Sequence, residues 1–151
     1  MENEPPYRLQ HSLGYHLSIA ARLQERRLDD QLKTLGLTRT TWCILLAVGN
    51  ENLSQPSDIA DFVGIDRTAT SRALRHMEDD DLLARSSGTE DRRTRRVELT
   101  QKGCDAIAQA TPFARANADL MSGLLEPGEE EALKQLLAKL RRAGDVQLKT
   151  L

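Results

Sequence analysis

The chain has 151 residues and a formal net charge of −2, with 39% hydrophobic and 29% charged residues. This composition is typical of a globular protein, so we expect one domain over residues 1–151. The longest apolar run, residues 42–48, falls well short of the roughly 20 residues needed to cross a bilayer. The acidic start of the chain does not resemble a secretion signal. A cytoplasmic protein without membrane contact is therefore predicted.

The first part of the chain has the apolar spacing of a long helix. Leucines and alanines recur on one helical face from about residue 7 to residue 35, and Gly36 is placed to end the helix. Thr38 is then expected to be the N-cap of a second helix, which continues through the apolar run to Gly49. Both helices are predicted to contribute to the core.

Two short helices follow with a glycine between them. Ser54 or Ser57 is expected to cap the first, Gly64 to end it, and Asp66 to cap the second. Two short helices joined by a tight, glycine-containing turn are typical of a helix-turn-helix.

The remaining segments predict a hairpin and two more helices. Alternation around Leu83 and Val97, with a glycine between, predicts two antiparallel strands. Thr100 is then expected to cap a long helix in which Pro112 produces a kink or break. Pro127 is a favourable first residue for a last helix.

These elements predict a fold that is mainly α, with a small β-hairpin wing. The winged helix-turn-helix should occupy residues 37–100 as a DNA-binding lobe, flanked by long dimerisation helices within residues 7–35 and 101–149. The apolar stripes of the first and last helices are larger than a small winged module can cover, which indicates a homodimer. The alternative is that the stripes cover each other within one chain.

Positive charge is concentrated in the stretch GTEDRRTRRVELT, residues 88–100, although the whole chain is slightly acidic. By itself, such a loop is compatible with a solvated surface segment. It follows a helix whose outward face is predicted to carry arginines and hydroxyls, which suit the major groove, while a charged hairpin suits the adjacent minor groove. The residues predicted to contact double-stranded DNA are Arg67, Thr68, Thr70, Ser71, Arg72, Arg75, Arg85, Arg92, Arg93 and Arg95.

The wing segment also carries a specific resemblance. Residues 91–100, DRRTRRVELT, fit the pattern D-x-R-x5-L-T, which resembles the wing signature of the MarR family of bacterial transcriptional regulators. The stretch DRTATSRALRHMEDDDLLAR is similar to that family's recognition helix and first wing strand, and LGLTRTTWCILLAV to its second helix. The resemblance implies a homodimer that binds a pseudo-palindromic operator, usually as a repressor. It further implies that Arg93 enters the minor groove while Asp91 holds its guanidinium, a role that Arg92 could share.

The resemblance implies a switch as well. In many relatives a small aromatic or phenolic acid binds between the dimerisation helices and the DNA-binding lobe and releases the DNA. Side chains with suitable chemistry here are His11, Tyr15, Arg22 and Trp42: aromatic walls, a hydrogen-bond donor and a cation. Each has a simpler interpretation, with Trp42 in the core, His11 and Tyr15 along the dimer interface, and Arg22 solvated or ion-paired.

Other classes of function have weaker support. Cys43 and Cys104 are expected to be reduced core side chains, and the first helix has no cysteine, which disfavours a peroxide sensor. No metal-ligand spacing, cofactor motif or catalytic motif occurs, so we expect neither a cofactor nor an enzyme. A ligand-independent or cysteine redox-responsive regulator stays open, as does, with less support, a winged-helix protein-interaction module. The sequence names neither the operator nor the effector.

Overall fold

A computed structural model describes residues 5–87 and 95–143. In chain order its elements are a short 3-10 helix (Leu9–His11), α1 (Leu13–Lys33), α2 (Arg39–Gly49), α3 (Pro56–Val63), α4 (Arg67–Asp79), β1 (Leu83–Ser87), β2 (Arg95–Leu99), α5 (Gln101–Ser122) and α6 (Glu129–Ala143). The two strands form one antiparallel hairpin. This architecture confirms the predicted mainly helical fold with a β-hairpin wing. Among the described residues, no helix has the length and apolarity to span a membrane.

Three helices begin at the predicted side-chain caps. The Thr38 hydroxyl accepts a hydrogen bond from a backbone N–H of the first turn of α2 at 3.2 Å, and the Asp66 carboxylate does the same for α4 at 2.7 Å. Thr100 caps α5 at 3.0 Å. Each cap satisfies an N–H group that has no partner within its own helix. The short-range sequence signals therefore fix these helix starts.

The start of α3 differs from the expectation. Its N-cap is Gln55, which makes no capping bond with its side chain, and Pro56 occupies the first helical position. The predicted caps Ser54 and Ser57 were therefore wrong. Proline at this position needs no partner for a backbone N–H and has a fixed φ that suits a helix, so α3 begins without a side-chain cap.

The last two helices differ in part from the prediction: α5 has no break at Pro112, and α6 begins after Pro127. Helix α5 runs unbroken through Pro112, which is exposed, so the backbone carbonyl that loses its donor lies near solvent. Helix α6 begins at Glu129, because the preceding Gly128 has a φ of 89° and turns the chain.

One continuous core joins α1 through α5 and the hairpin. It brings Leu32 of α1 and Ala110 of α5 together with the apolar side chains of the helix-turn-helix. By contrast, no described side chain of α6 is buried. The largest fully buried side chains are Leu32, Ile44, Leu45, Ile59, Leu74, Met77, Val97 and Thr70.

The hairpin is attached to the helical core through its backbone and one face. The strands pair Leu83 with Leu99 and Arg85 with Val97, and residues paired in this way share one face of the hairpin. The Val97 N–H also donates to the Ser54 carbonyl at 2.9 Å, which ties the wing to the segment before α3.

Candidate nucleic-acid interface

Helix α4 is held as the second helix of a helix-turn-helix. Gly64 ends α3 with a φ of 77°, in the left-handed region, and Asp66 then caps α4. On its inner side Leu74 and Met77 are buried against the core. The opposite side of α4 is therefore presented to solvent.

The solvent-facing side of α4 is basic. The stretch from Arg67 to Met77 contains no acidic residue, so its arginines produce a local positive potential despite the net charge of −2. A helix with arginines and hydroxyls on one face has the shape and the donors to enter a major groove. The exposed predicted residues are Arg67, Thr68, Ser71, Arg72 and Arg75.

Thr70 does not belong to this exposed face. Its side chain is only 1% exposed, and its hydroxyl donates to the Asp66 carbonyl at 2.8 Å. The predicted outward position of Thr70 was wrong, because this residue shares a helical face with the buried Leu74 and Met77, four and seven positions later. Its contribution is to the packing of α4.

Arg85 is also placed differently from the prediction. Because it pairs with Val97, it lies on the inner face of the hairpin, and its Nε is 3.1 Å from Oε2 of Glu78 at the end of α4. The Arg85 side chain is 22% exposed. Strand alternation from Leu83 already places Arg85 on the inner face. The structure assigns it to holding the wing against α4 rather than to the outward surface.

The described part of the wing adds one cation that the prediction omitted. Arg96 pairs with Ser86 on the outer face of the hairpin and is exposed. Its position next to the buried Val97 is the signal that could have identified it. Arg95 lies in β2, but its side chain is outside the described part of the structure. The predicted DNA-binding residues Arg92 and Arg93, and Asp91, which is expected to hold Arg93, also lie outside the described residues.

Three acidic residues at and after the end of α4, Glu78, Asp80 and Asp81, connect this helix to the wing and to the start of α5. Glu78 pairs with the wing, and Asp81 adopts a φ of 60°, which aspartate tolerates better than most residues. The backbone carbonyls of Asp80 and Asp81 accept hydrogen bonds from Lys102 Nζ at 2.6 Å and from the Thr100 hydroxyl at 2.5 Å. The acidic stretch thus forms a turn bonded to the start of α5.

The predicted effector-binding residues lie in different surroundings. Trp42 is 4% exposed and forms part of the core, as its simpler interpretation states. Tyr15 is half-buried, with its ring edge-on to His16 at 5.7 Å between ring centroids. His11, in the short 3-10 helix, and Arg22, on α1, are exposed.

The two cysteines also differ from each other. Cys43 is half-buried, and burial raises the pKa of its thiol, while the nearby Arg39 guanidinium opposes that shift to a smaller extent. Cys104 is exposed, so its predicted core position was wrong. Both are free thiols. The raised pKa keeps Cys43 protonated and poorly reactive.

Comparison with known proteins gives a family match for the winged-helix segment and structural matches over most of the chain. The MarR family model matches residues 35–94. The structure of Bordetella bronchiseptica BpsR, concerned with regulation of its DNA binding by 6-hydroxynicotinic acid, is 25% identical, with a TM-score of 0.81 over 90% of this chain and 97% of that one. Mycobacterium tuberculosis MosR in complex with DNA is 29% identical, with a TM-score of 0.71 over 88% and 96%.

A third structure extends the similarity in fold to the full length. The organohalide-sensing regulator RdhR, bound to 2,4-dichlorophenol, is 22% identical with a TM-score of 0.81, over 100% of this chain and 95% of that one. The MarR family model thus matches the winged-helix segment of this chain, and the fold along the whole chain is shared with solved structures of transcriptional regulators.

Proposed function

We propose that this protein is a homodimeric repressor that binds a pseudo-palindromic operator in double-stranded DNA and leaves it when a small aromatic or phenolic acid binds. MarR-family proteins are dimeric transcription factors and not enzymes. The observation that carries the proposal is the outward face of α4, which is rich in arginine and free of acid from Arg67 to Met77. Such a protein acts in the bacterial cytoplasm, where the chromosome lies.

In the proposed complex α4 enters the major groove. Arg72 and Arg75 lie on its exposed face, where guanidinium groups can bond guanine edges, and Arg67 lies near the helix start. The wing arginines Arg92, Arg93 and Arg95 are proposed to reach the adjacent minor groove, with Asp91 orienting Arg93. The DNA complex of the similar MosR supports DNA binding by a protein of this fold.

The terminal helices are proposed to form the dimer. Their apolar side chains stay exposed within one chain, which argues against the alternative that they cover each other, and a patch of this size indicates an interface. The proposed division is a DNA-binding lobe of residues 37–100 and dimerisation helices within 7–35 and 101–149. The exposed apolar side chains are Leu9, Leu13, Leu17, Leu120, Met121, Leu124, Leu133, Leu136 and Leu140.

The proposed effector is a small aromatic or phenolic acid. The ligands of BpsR and RdhR, 6-hydroxynicotinic acid and 2,4-dichlorophenol, support this chemical class. Of the predicted contacts, Tyr15 and His11 are better placed for such a ligand, because they lie close to the apolar start of α1. Arg22 lies further along that helix. Trp42 is proposed to contribute only a wall, since it lies in the core. The raised pKa of Cys43 argues against the redox alternative.

A gel-shift titration tests both parts of the proposal. The purified protein is titrated onto the region upstream of its own gene and onto duplexes selected from a random pool, with and without 6-hydroxynicotinate, salicylate and 2,4-dichlorophenol. Tight binding to a short inverted repeat that one compound weakens is the expected result. Binding that no compound affects favours the ligand-independent alternative. Absence of sequence-preferring binding to any duplex rejects the proposed function.

A substitution tests the wing separately. Arg93→Ala should weaken operator binding by about 1–3 kcal/mol if the side chain occupies the minor groove. Arg142→Ala, which removes an exposed arginine of α6, is the matched control and should leave the affinity nearly unchanged. An unchanged affinity of Arg93→Ala would exclude that side chain from the interface.

A further inference from the structure

Arg39 occupies an electrostatically unfavourable position in its own helix. It is the first residue of α2, and the first turn of α2 contains no acidic residue. A cation at a helix N-terminus faces the positive end of the helix dipole, which disfavours it. Some other part of the molecule must therefore offset this arrangement.

Two carboxylates of α1 provide that offset. Arg39 Nη1 is 2.7 Å from Oε1 of Glu25, and Nη2 is 3.2 Å from Oδ2 of Asp29. Glu25 and Asp29 are four residues apart and therefore adjacent on one helix face. The planar guanidinium bridges both, a geometry that the single ammonium group of a lysine cannot reproduce. All three side chains are partly exposed.

This bridge joins the two proposed parts of the molecule. Helix α1 belongs to the dimerisation helices, and α2 is the first helix of the DNA-binding lobe. Leu28 and Leu32 of α1 also pack on the core, but apolar contacts have little directional preference. The contact of Arg39 Nη2 with Asp29 is a charge-assisted hydrogen bond, which has a defined geometry, so it restricts how far α2 can rotate or slide against α1.

We infer that Arg39 is a positioning residue that sets the angle between the DNA-binding lobe and α1, and through it the half-site spacing that the dimer accepts. In a dimeric helix-turn-helix protein, the separation of the recognition helices determines this spacing. Arg39 itself lies outside the proposed DNA surface. The inference rests on the proposed function, because it requires a dimer bound to two half-sites.

The chain offers a matched control pair. Lys33 Nζ and Asp30 Oδ1 are 3.7 Å apart within α1, and both side chains are largely exposed. That pair has the same charges and lies near the bridge, but it joins residues of one helix. Its loss should leave the angle between α1 and α2 unchanged, so Asp30→Asn controls for the loss of a surface ion pair.

The test is a spacing profile of DNA affinity. The best site of the wild-type protein is selected from random duplexes, and its half-sites are then moved closer together or further apart by one base pair. Dissociation constants are measured by fluorescence anisotropy for the wild type and for Arg39→Met, Arg39→Lys, Glu25→Gln and Asp30→Asn. Arg39→Met preserves most of the aliphatic stem, and thermal unfolding verifies that each variant is folded.

The expected result is that DNA affinity depends less strongly on half-site spacing in the Arg39 variants than in the wild type. For Arg39→Met the ratio between the dissociation constants of shifted and best spacings should fall about two- to fivefold, the size expected for partly exposed ion pairs. Arg39→Lys should lie between Arg39→Met and the wild type, Glu25→Gln should flatten the profile in the same direction, and Asp30→Asn should match the wild type. If Arg39→Met does not fold, Glu25→Gln decides the result.

Three results would overturn the inference and leave the proposed function intact. An unchanged ratio in Arg39→Met, or a uniform loss of affinity at all spacings, would reduce the bridge to a contribution to stability. Equal flattening by Asp30→Asn would attribute the effect to surface charge in general. A wild-type protein that binds no duplex would instead reject the proposed function, and this inference with it.

Discussion

Large apolar side chains are buried in the winged-helix segment, whereas many of those on the terminal helices are exposed. Ile44 and Leu45 of α2 are fully buried, whereas Leu124 after α5 is 80% exposed and Leu136 of α6 is 57% exposed. The first region completes its core within one chain, together with parts of α1 and α5. The second region presents an apolar face that one chain does not cover. Periodicity alone identifies an apolar face, but it does not identify the partner that covers it.

The largest expected effect comes from charging the uncovered face. Leu136→Glu would place a carboxylate in the proposed interface, and twofold symmetry introduces it twice. We expect the dimer to weaken at least about 100-fold, since each leucine is worth roughly 1.5–3 kcal/mol of burial, and operator affinity to fall with it. Light scattering over a concentration series measures the assembly. Gln135→Glu adds the same charge to the adjacent exposed residue and should leave the dimer intact.

The recognition helix allows its outer and inner faces to be compared. Arg72→Ala should weaken DNA binding by about 1–3 kcal/mol without changing thermal stability, because the side chain is exposed. Thr70→Val should lower the free energy of unfolding by about 1 kcal/mol through the lost hydrogen bond to Asp66, with a smaller effect on DNA affinity. Anisotropy titrations and urea unfolding measure the two quantities. A larger loss of DNA affinity for Thr70→Val than for Arg72→Ala would contradict this assignment of faces.

Gly103 lies at a crowded contact between the start of α5 and the turn after α4, whereas Gly14 lies in an uncrowded part of α1. A Cβ at Gly103 would lie 2.2 Å from the carbonyl oxygen of Leu82, so the start of α5 would have to move away from the turn after α4. We expect Gly103→Ala to lower the free energy of unfolding by about 1–3 kcal/mol. Gly14 in α1 has open space around it, and Gly14→Ala should raise that free energy by about 0.5–1 kcal/mol. Urea unfolding of both variants measures the contrast, and equal effects would contradict it.

The last comparison concerns the reactivity of the two thiols. Because burial raises the pKa of Cys43, little thiolate is present near neutral pH, and its alkylation should accelerate only at pH values above the ordinary range of a thiol. Exposed Cys104 should react with iodoacetamide about tenfold faster at pH 7.5. Mass spectrometry of the variants Cys43→Ser and Cys104→Ser measures each rate alone. Faster reaction of Cys43 would restore the redox alternative.

The success of the sequence-based predictions varied with the range of the interactions involved. Caps at Thr38, Asp66 and Thr100 follow from contacts within one turn, and all three were predicted correctly. Thr70 and Arg85 were assigned to the DNA surface because of residue type, although helical and strand periodicity already placed both on inner faces. Residue chemistry alone did not determine which way these side chains point.

The sequence by itself determined the order of elements, the winged-helix class and the basic stretch, because periodicity, caps and charge are local properties of the chain. Only the tertiary structure decided which contacts connect distant residues. Glu78 meets Arg85 across a turn, Lys102 bonds the Asp80 carbonyl, and Arg39 bridges two helices. No local pattern encodes these pairings, because they depend on how the packed core orients whole helices relative to one another.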